Sequence, residues 1–387
     1  MKAAGILMVT GAYWPELSGG GLQSRTMIKA LSPQFRFRVF TTCTDRSLPA
    51  NEMVDGIPVS RAYVDVRRPW TKVSTAFGTL KFFFATHRTF DVVHLHGFSQ
   101  KAVLLIALAR LFRKQVVITI HTAGHDEPEA VRRLGWLPFF CYSSADRFVA
   151  ISDRTAENYR RSGLPIERLV VAPNGVDTDR FAPVSPVARV QLRRTIVDLP
   201  DVPWILFVGF FSIEKGPELL FEAWLRTIDA GTQSALVFVG ATASTYHEVD
   251  PAMADRIRAE AAARGLGHLV HFAGEVAEIE RYYQASDVFV TPSVREAFGM
   301  ALAEAMACAL PVVATRIEGV TDGIVDDGRT GILVTPGDVT AIGDALNRLL
   351  TDRTRAREIG TAARESVVAR FGLAASAARW SRLYMSL

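Results

Sequence analysis

The sequence predicts an α/β protein made of two domains, each with a parallel sheet at its centre. Three observations support this prediction. The chain has 387 residues, whereas a single hydrophobic core seldom organises more than about 250 to 300. Short runs rich in β-branched residues alternate with helix-length segments along the chain. Most of these runs are continuously apolar, which is typical of parallel strands that helices cover on both faces.

Runs of this kind occupy both halves of the chain. Those of the first half are GILMVT, FRFRVFTT, DVVHLHG, QVVITIH, DRFVAIS and RLVVAPNG; those of the second are WILFVG, ALVFVG, LVHFAG, DVFVTPS, PVVAT and GILVTP. Each half is therefore predicted to be a Rossmann-like domain, over residues 1–180 and 196–368. Residues 181–195 are predicted to be the linker, because FAPVSPVARV contains two prolines and little periodicity. Ligands of such folds bind beyond the carboxyl ends of the strands, which predicts a site in the cleft between the domains.

Composition and charge limit the classes of protein that fit. The three cysteines are far apart and match no zinc spacing, which favours a reducing, cytoplasmic setting. The N-terminal MKAAGILMVTGA is interpreted as a buried strand because no cleavage pattern follows it. The longest apolar run, AVLLIALARLF, is shorter than the ~20 residues of a membrane span. Residues 1–180 have 24 Lys and Arg against 15 Asp and Glu, an excess of nine, within a chain of net charge +4.

Part of this basic half interleaves cationic and aromatic residues. The segment is RRPWTKVSTAFGTLKFFFATHR, residues 67–88. Two interpretations are open. Such a pattern is typical of segments that lie on an anionic membrane surface, and it predicts peripheral association with the inner face of the cytoplasmic membrane. Alternatively, the segment is a solvated helix whose Phe82, Phe83 and Phe84 point into the core.

Two glycine-containing segments follow predicted strands. After the first strand, Gly19, Gly20 and Gly21 would let backbone N–H groups approach a phosphate at a helix N-terminus, although the dinucleotide spacing is absent and a simple turn fits as well. In the second half, Lys215 precedes Gly216 and Pro217 at a predicted helix start. The helix dipole disfavours a lysine there unless an anion binds beside it or its side chain points into solvent.

Two carboxylates stand out in SVREAFGMALAEAMA, residues 293–307. Glu296 precedes a helix predicted to begin near Phe298, a position that the helix dipole favours without any ligand. Glu304 lies in a helix with no other charge for about three turns. A carboxylate among alanines and methionines costs several kcal/mol unless it is paired or hydrogen-bonded. Its partner is expected to be a distant arginine or the hydroxyl groups of a ligand.

Other polar motifs carry weaker signals. Asp177 and Asp179 form a D-x-D sequence of the kind that binds metals, and His121 and His125 are spaced H-x3-H. The histidines follow a strand and need not share a helical face, so we expect no zinc at His121 and His125. His96 ends a predicted strand, where a hydrogen-bonded structural role and contact with an acceptor substrate are both open.

Taken together, the motifs resemble retaining glycosyltransferases of the GT-B fold, specifically glycosyltransferase family 4, nearly end to end. The matching pieces are GGGLQS, DVVHLHG, VVITIHTAG, AISDRTAENYRRSG, VVAPNGVDTDRF, LFVGFFSIEKG, VHFAGEV, ASDVFVTPS, REAFGMALAEAMACALPVVAT and DDGRTGILVTPGD. The resemblance implies two Rossmann-like domains, the first for the acceptor and the second for a nucleotide-sugar donor. It further implies that residues 369–387 form a last helix that crosses back to the N-terminal domain.

The resemblance also implies roles for individual residues. The predicted catalytic residues are Glu296, which contacts donor-sugar hydroxyls, His121, near the anomeric centre, and Lys215, at the diphosphate. Donor binding is assigned to the ribose contact Glu304, to Val276 beside the base, and to the phosphate contacts Gly19, Gly20, Gly21, Gly209, Phe298, Gly299 and Met300. The acceptor-side candidates are His96 and Gly124. No cofactor beyond the nucleotide-diphosphate sugar, no metal and no nucleic acid is expected.

Two positions depart from the family pattern. Phe210 stands where the family usually has an arginine that shares the diphosphate charge, and Arg295 is a candidate to replace it. Ala309 stands where the family usually has a glycine, which we expect to be tolerated if φ is negative there. The predicted activity is transfer of a sugar to a hydroxyl of a glycan or lipid-linked acceptor. A nucleotide-sugar epimerase, a phosphorylase and a non-catalytic sugar-nucleotide-binding partner are the alternatives.

Overall fold

A computed structural model of the chain describes residues 4–16, 19–65, 68–99, 101–121, 124–242 and 249–387. These residues form two compact units. The first unit contains Met1–Gly175 and Leu373–Leu387, and the second contains Val176–Gly372. Each unit is a parallel sheet covered by helices, as the apolar runs predict. Within the described residues, no helix is both long enough and apolar enough to cross a bilayer.

The sheet of the first unit has eight strands within the described residues, in the spatial order β3-β4-β2-β1-β5-β6-β7-β8. All neighbours are parallel except β3 and β4. The strands are β1 (Gly5–Thr10), β2 (Arg36–Cys43), β3 (Asn51–Val54), β4 (Ile57–Tyr63), β5 (Val92–His96), β6 (Gln115–Ile120), β7 (Arg147–Ala150) and β8 (Leu169–Val171).

Helices cover both faces of this sheet. They are α1 (Gly19–Leu31), α2 (Pro69–Thr86), α3 (Ala102–Leu111), α4 (Pro128–Arg133), α5 (Trp136–Ser143) and α6 (Asp153–Arg161). One apolar cluster joins α2, α3 and α5 to β5, β6 and β7. A second cluster, on the other side, contains Met27, Ile28 and Leu31 of α1. The start of α6 shows how sequence fixes a boundary, because Ser152 and Thr155 form a reciprocal capping box.

In the described part of the second unit, the sheet has six parallel strands in the order β11-β10-β9-β12-β13-β14. They are β9 (Trp204–Val208), β10 (Ala235–Val239), β11 (Val270–Phe272), β12 (Val288–Thr291), β13 (Val312–Thr315) and β14 (Ile332–Val334). In chain order this is 3-2-1-4-5-6, the Rossmann arrangement, in which the topology reverses between β9 and β12. Loops that leave these two adjacent strands therefore meet at one edge.

The helices of the second unit are α7 (Pro186–Ile196), α8 (Pro217–Asp229), α9 (Met253–Ala263), α10 (Glu280–Ala285), α11 (Met300–Ala307), α12 (Val339–Thr351) and α13 (Arg353–Phe371). Helix α7 occupies most of the segment predicted as a linker. Pro186 does not interrupt it, because a proline fits the first helical turn and Ser185 caps the helix by accepting from the Ala188 N–H. Single 3-10 turns occur at His87–Thr89, Ile166–Arg168 and Gly267–Leu269.

The last helix, α14 (Leu373–Met385), belongs to the first unit. Its Trp380 and Tyr384 are buried in the apolar cluster beside β1 and α1. The ring of Tyr384 lies edge-on to that of Phe35, with 5.4 Å between the centroids. Aromatic contacts of this geometry stabilise beyond the area that they bury. The C-terminal segment is therefore an integral part of the first unit's core.

Candidate active site

In the second unit, the loops after β9 and β12 bring a lysine and a glutamate together. The Lys215 Nζ lies 2.5 Å from Glu296 Oε1, although the two residues are 81 positions apart in the sequence. Both side chains are largely buried, with 28% and 17% of their surface exposed. The Val294 N–H also donates to the Glu214 carbonyl at 2.8 Å, which ties the two loops to each other. The structure thus brings together two residues that the sequence assigned to the donor.

Beside this pair lies the N-terminus of α11, which begins at Met300, two residues after the predicted start. Gly299 precedes it with φ +98°, a backbone conformation that favours glycine. The Phe298 side chain is buried against the ring of Phe371, at 5.5 Å between centroids. Within the described part of the chain, the N–H groups of Phe298, Gly299 and Met300 have no protein acceptor. This helix end therefore offers unsatisfied donors and the positive end of the dipole to an anion.

Glu304 is held one turn further along α11. Its Oε2 accepts a hydrogen bond from the Tyr283 hydroxyl at 3.0 Å. A little of its surface remains accessible, but the surrounding protein raises the pKa of the carboxyl to about 7, chiefly through loss of solvation. The hydrogen bond from Tyr283 and the charge of Arg180 act in the opposite direction. Within the protein, its hydrogen-bond partner is a neutral tyrosine rather than the arginine expected from the sequence.

The two phenylalanines after Gly209 have different surroundings. Phe211 is fully buried among the rings of Phe207, Phe238 and Phe272 and belongs to the core. Phe210 is only half-buried. Arg295, the candidate to replace the usual arginine, forms an ion pair with Glu214 at 2.7 Å. Its charge is therefore already balanced by a carboxylate next to Lys215 in the sequence.

The remaining donor candidates lie at the carboxyl ends of strands. Gly209 follows β9, and a side chain there would approach the Phe207 ring at 3.1 Å. Val276 follows β11 and lines a cavity of about 420 Å³ with residues of α7 and α10. In the first unit, Gly19, Gly20 and Gly21 form the first turn of α1, after β1. A Cβ added at Gly19 or Gly20 would meet no atom within 4 Å, so neither glycine is required there by tight packing.

The condition on which an alanine at position 309 was expected to be tolerated, a negative φ, is not met. This residue follows α11 with φ +59°, in the left-handed region. An alanine in that region costs roughly 1–2 kcal/mol, because its Cβ approaches the next carbonyl oxygen. The conformation keeps the chain close to α13, where a Cβ on Gly360 would lie 2.2 Å from the Ala309 carbonyl oxygen. The family's glycine is therefore explained by backbone conformation.

In the first unit, three histidines meet at the carboxyl ends of β5 and β6. The His96 and His121 rings stack at 4.7 Å between centroids, with His121 Nε2 2.7 Å from His96 Nδ1. His94 bonds to the Thr119 hydroxyl at 2.7 Å and to the Tyr384 hydroxyl at 2.6 Å. Burial lowers the pKa of His94 to about 3 and that of His121 to about 4, and it holds the pKa of His96 well below its usual range. All three rings are therefore neutral at physiological pH.

The contact between His96 and His121 couples their tautomers. If His96 Nδ1 carries the proton, it donates to His121 Nε2, and the second proton of the pair lies on His121 Nδ1. If His121 Nε2 is the donor, His96 carries its proton on Nε2, an atom that is buried and has no partner within the described residues. A ligand group that binds either outer nitrogen thus selects the tautomer of the other ring. The His121 backbone is fixed by its N–H, which donates to Asp126 at 2.8 Å.

A cavity of about 320 Å³ opens beside His96. It lies at the carboxyl ends of β1, β2 and β5, where the strand order of the first sheet reverses. Its polar lining combines the hydroxyl groups of Thr10, Thr42, Thr75, Thr79 and Ser99 with the side chains of Lys101, His125 and Asp126. Gly124, the other acceptor-side candidate, has φ +80° and lines a separate cavity with Glu127 and Arg133.

Neither metal-like motif gathers ligands. Asp177 Oδ1 accepts from the N–H groups of Asp179 and Arg180 at 3.3 and 3.0 Å, so this carboxylate shapes a turn. His121 bonds to His96, whereas His125 lines the cavity of the first unit. Across the described ranges, no group of three His, Cys, Asp or Glu side chains is placed to bind a metal ion.

Some residues of these sites were not found from the sequence. Tyr283, Thr119 and Tyr384 hold Glu304 and His94 from distant parts of the chain. A tyrosine or threonine in an apolar segment carries no local signal of its hydrogen-bond partner. Asp126 in HDEPE is the exception, since an acid directly after a strand-end histidine is a recognisable candidate for holding it.

The fold points to a class. Two Rossmann-like parallel-sheet units are the elements of the GT-B fold, and the lysine, the glutamate and the helix N-terminus lie at the switch point of the second unit. Family models match both units, as "Glycosyltransferase Family 4" over residues 17–180 and "Glycosyl transferases group 1" over residues 193–366. The chain belongs to glycosyltransferase family 4 and is a hexosyltransferase.

Relatives and solved structures agree with this assignment. A D-inositol 3-phosphate glycosyltransferase from Xylanimonas cellulosilytica is 32% identical over 310 residues, 76% of this chain and 72% of that protein. The enzyme of the same name from Acidothermus cellulolyticus is 31% identical over 351 residues, 82% of this chain and 74% of that protein. Anabaena HepE, solved with UDP and glucose, superposes with a TM-score of 0.79 at 20% identity and 99% coverage of both chains, and it shows the fold alone.

Proposed function

We propose that this protein transfers a hexose from a nucleotide-diphosphate sugar to a hydroxyl of a glycan or lipid-linked acceptor, with retention of configuration and without a metal ion. The contact between Lys215 and Glu296 beside the N-terminus of α11 carries the proposal. It combines a cation and free N–H groups for a diphosphate with a carboxylate for sugar hydroxyls. Several relatives are named glycosyltransferases, and HepE was solved with a nucleotide and a sugar.

The chemistry follows from the charges that develop. When the sugar–phosphate bond breaks, negative charge grows on the leaving diphosphate and positive charge on the anomeric carbon. Fixed donors at the phosphate lower this barrier most, and Lys215 with the α11 N–H groups can supply them. A diphosphate would compete with Glu296 for the Lys215 ammonium, which would leave the carboxylate to accept from sugar hydroxyls. The acceptor oxygen attacks from the face of departure, and its proton passes to the leaving phosphate.

The threonine-lined cavity of the first unit is the proposed acceptor site. Its hydroxyl groups and the neutral His96 suit an uncharged sugar or polyol. The Thr75 and Thr79 hydroxyls donate to backbone carbonyls and can accept from ligand hydroxyls, and a neutral imidazole both donates and accepts. The inner face of α2 contributes Thr75 and Thr79. The outer face of the same helix exposes Trp70 and Phe77, which favours a lipid-linked acceptor. The three buried, unpaired cysteines suit a reducing compartment, and we propose that the enzyme acts in the cytoplasm.

The test is a screen of UDP-, GDP- and ADP-linked hexoses for thermal stabilisation of the purified protein, followed by transfer assays with the best donor. Acceptors should include short glycans, polyprenyl phosphate sugars and inositol phosphate, the last because of the relatives' name. The product anomer, read from proton NMR coupling, should match the donor. Inverted product would contradict retention, and loss of activity on chelation, restored by a divalent ion, would contradict metal independence. Epimerised donor without transfer would favour the epimerase alternative.

A further inference from the structure

The exposed aromatic side chains are concentrated in one region. Within the described residues, every exposed phenylalanine or tryptophan lies on α2 or α5 of the first unit. They are Trp70, Phe77 and Phe84 on α2, and Trp136 and Phe140 on α5. Trp70 and Trp136 are the most exposed, at 81% and 80%. Scattered exposed apolar residues need no explanation, but exposed aromatics confined to two helices point to a binding surface.

Helix α2 buries one face against the first unit and exposes aromatic side chains on the opposite face. Thr75, Thr79 and Phe83 are buried against the sheet side. Trp70, Phe77 and Phe84 are spaced by seven, so they form one row that drifts by only about 20° per step. This row lies roughly opposite the buried one, given about 100° per residue. Of the phenylalanines that the solvated-helix interpretation placed in the core, Phe83 is buried, whereas Phe84 is 54% exposed.

Helix α3 packs against both α2 and α5, so it lies between the helices that carry the exposed aromatic side chains. Phe84 lies edge-on to Phe112, just after α3, at 5.7 Å between centroids. Leu111 beside it is 73% exposed. We name this surface the α2–α5 face; its exposed apolar residues are Trp70, Val73, Phe77, Phe84, Leu111, Leu134, Trp136, Leu137 and Phe140.

The charges on this face have one sign. Helices α2, α3 and α5 contain no aspartate or glutamate. Lys81, Arg88 and Arg113 are exposed, and within the described ranges none of them forms an ion pair. Arg67, the first residue of the predicted membrane segment, lies outside the described residues. Unpaired cations around exposed aromatic rings match a surface that is apolar in its interior and anionic at its boundary.

We propose that the α2–α5 face docks on an anionic lipid bilayer, with its aromatic side chains in the headgroup region and its cations at the lipid phosphates. A second copy of this chain fits less well, because a symmetric contact would place the unpaired cations against one another. Docking would bring the enzyme to the membrane that holds a lipid-linked acceptor, and in this respect it rests on the proposed function. Helix α2 would then lie between the bilayer and the proposed acceptor cavity, which its Thr75 and Thr79 line.

The experiment measures cosedimentation of the full chain with vesicles, without donor or acceptor. We expect binding to phosphatidylcholine vesicles that contain about one third phosphatidylglycerol and little binding to pure phosphatidylcholine. Trp70→Ser with Phe77→Ser, and separately Trp136→Ser with Phe140→Ser, should each weaken the partition constant by at least about tenfold. Lys81→Glu with Arg88→Glu should weaken it by on the order of tenfold, and high salt should act likewise. Val187→Ser, at a 69% exposed position on α7 of the second unit, is the matched control.

Because no sugar chemistry enters this assay, its failure is distinct from failure of the proposed function. Equal binding of wild type and both aromatic pairs would overturn the proposal, as would absence of binding to anionic vesicles. A wild-type dimer that the Trp70 and Phe77 changes convert to monomer would assign the face to a second copy instead. Thermal melts and donor hydrolysis should be unchanged in all these variants, and an unfolded double variant is replaced by the single Trp136→Ser.

Discussion

Three neutral histidines contact one another at the carboxyl end of the first sheet, whereas a lysine and a glutamate of opposite charge meet at the carboxyl end of the second. Both sites lie where the strand order reverses, so the fold supplies the same position twice. Burial has removed charge from the first site and has left an ion pair in the second. A shared fold therefore does not impose a shared electrostatic character, which depends on the side chains at the strand ends.

The difference suits the two substrates that we propose. An acceptor hydroxyl is neutral until it reacts, so neutral hydrogen-bonding groups can bind it without the cost of a buried charge. A diphosphate carries fixed negative charge. A cation that binds it would lose much of its solvation free energy if it were buried without a partner in the free enzyme. The contact between Lys215 and Glu296 reduces this cost, because the carboxylate neutralises the ammonium group in the free enzyme. In our proposal, a phosphate of the donor replaces the carboxylate as the partner of the ammonium.

The largest expected effect is on the charged site. Lys215→Ala should lower turnover by on the order of 10² to 10³, the range seen when one preorganised donor to a developing charge is removed. Lys215 is the only lysine between Val176 and Gly372, so no neighbouring lysine can replace it. Steady-state kinetics with the donor found by the screen provide the measurement.

The matched control is Arg316→Ala, which removes a surface cation of the same unit that pairs with Asp327 at 2.8 Å. It should leave turnover within about twofold, since exposed pairs contribute little. Thermal melts must accompany both variants, because Lys215→Ala leaves Glu296 without its partner. Unchanged turnover and donor affinity in Lys215→Ala would remove the diphosphate from this loop and would move the proposed active site with it.

The next effect separates binding from stability at Glu304. Glu304→Gln should weaken nucleoside-diphosphate binding by about 1.5 to 3 kcal/mol if ribose hydroxyls bind the carboxylate, because a charged acceptor is the stronger one. The same change should stabilise the fold at alkaline pH, since the amide avoids the cost of a buried charge. Calorimetric titration and thermal melts on one preparation measure both quantities.

The sign of the pH dependence provides the control. The folded pKa of Glu304, about 7, exceeds its ordinary value of 4.5, so its stabilising contribution is complete below pH 4.5 and is lost as pH rises through 7. The stability difference between wild type and Glu304→Gln should therefore be constant below pH 4.5, grow between pH 4.5 and pH 7, and stay constant above it. Equal affinity of the two proteins for the nucleotide would contradict the ribose role, whatever the melts show.

The histidine site should respond to pH with the opposite sign. His94 is depressed to about 3 from its ordinary 6.5, so its contribution is complete above pH 6.5 and is lost as pH falls towards 3. His94→Gln should lower stability at neutral pH, because its bonds to Thr119 and Tyr384 are disrupted. It should also reduce the acid slope of the unfolding free energy by about 1.4 kcal/mol per pH unit. Chemical denaturation of both proteins from neutral to mildly acid pH measures these slopes. Equal slopes for wild type and His94→Gln would contradict the depressed pKa of His94.

The sequence predicts the strands and sheets well, but it does not predict side-chain contacts between residues that are far apart in the chain. Both parallel sheets were predictable, because runs such as GILMVT and WILFVG are apolar throughout and meet no competing interpretation. Glu304 was identified as unusual from its apolar helix, yet its partner Tyr283 was not, since a hydrogen bond across the fold leaves no local pattern. The helical part of the predicted linker was missed because Pro186 was interpreted as a break, although it fits a first helical turn.

The smallest expected effect tests whether the second unit carries local backbone strain that its sequence could have avoided. Ala309 has φ +59°, a conformation in which a Cβ costs roughly 1–2 kcal/mol. Glycine would remove this cost, but it makes the unfolded chain more flexible, which lowers the free energy of unfolding by about 0.4–1 kcal/mol. Ala309→Gly should therefore stabilise the protein by about 0.5 to 1 kcal/mol. Ala307→Gly, two residues earlier and inside α11, should instead destabilise by about 1 kcal/mol, since glycine is a poor helix former. Denaturant titrations of the two variants should move in opposite directions, and a destabilised Ala309→Gly would mean that the alanine methyl group contributes packing that outweighs the strain of its conformation.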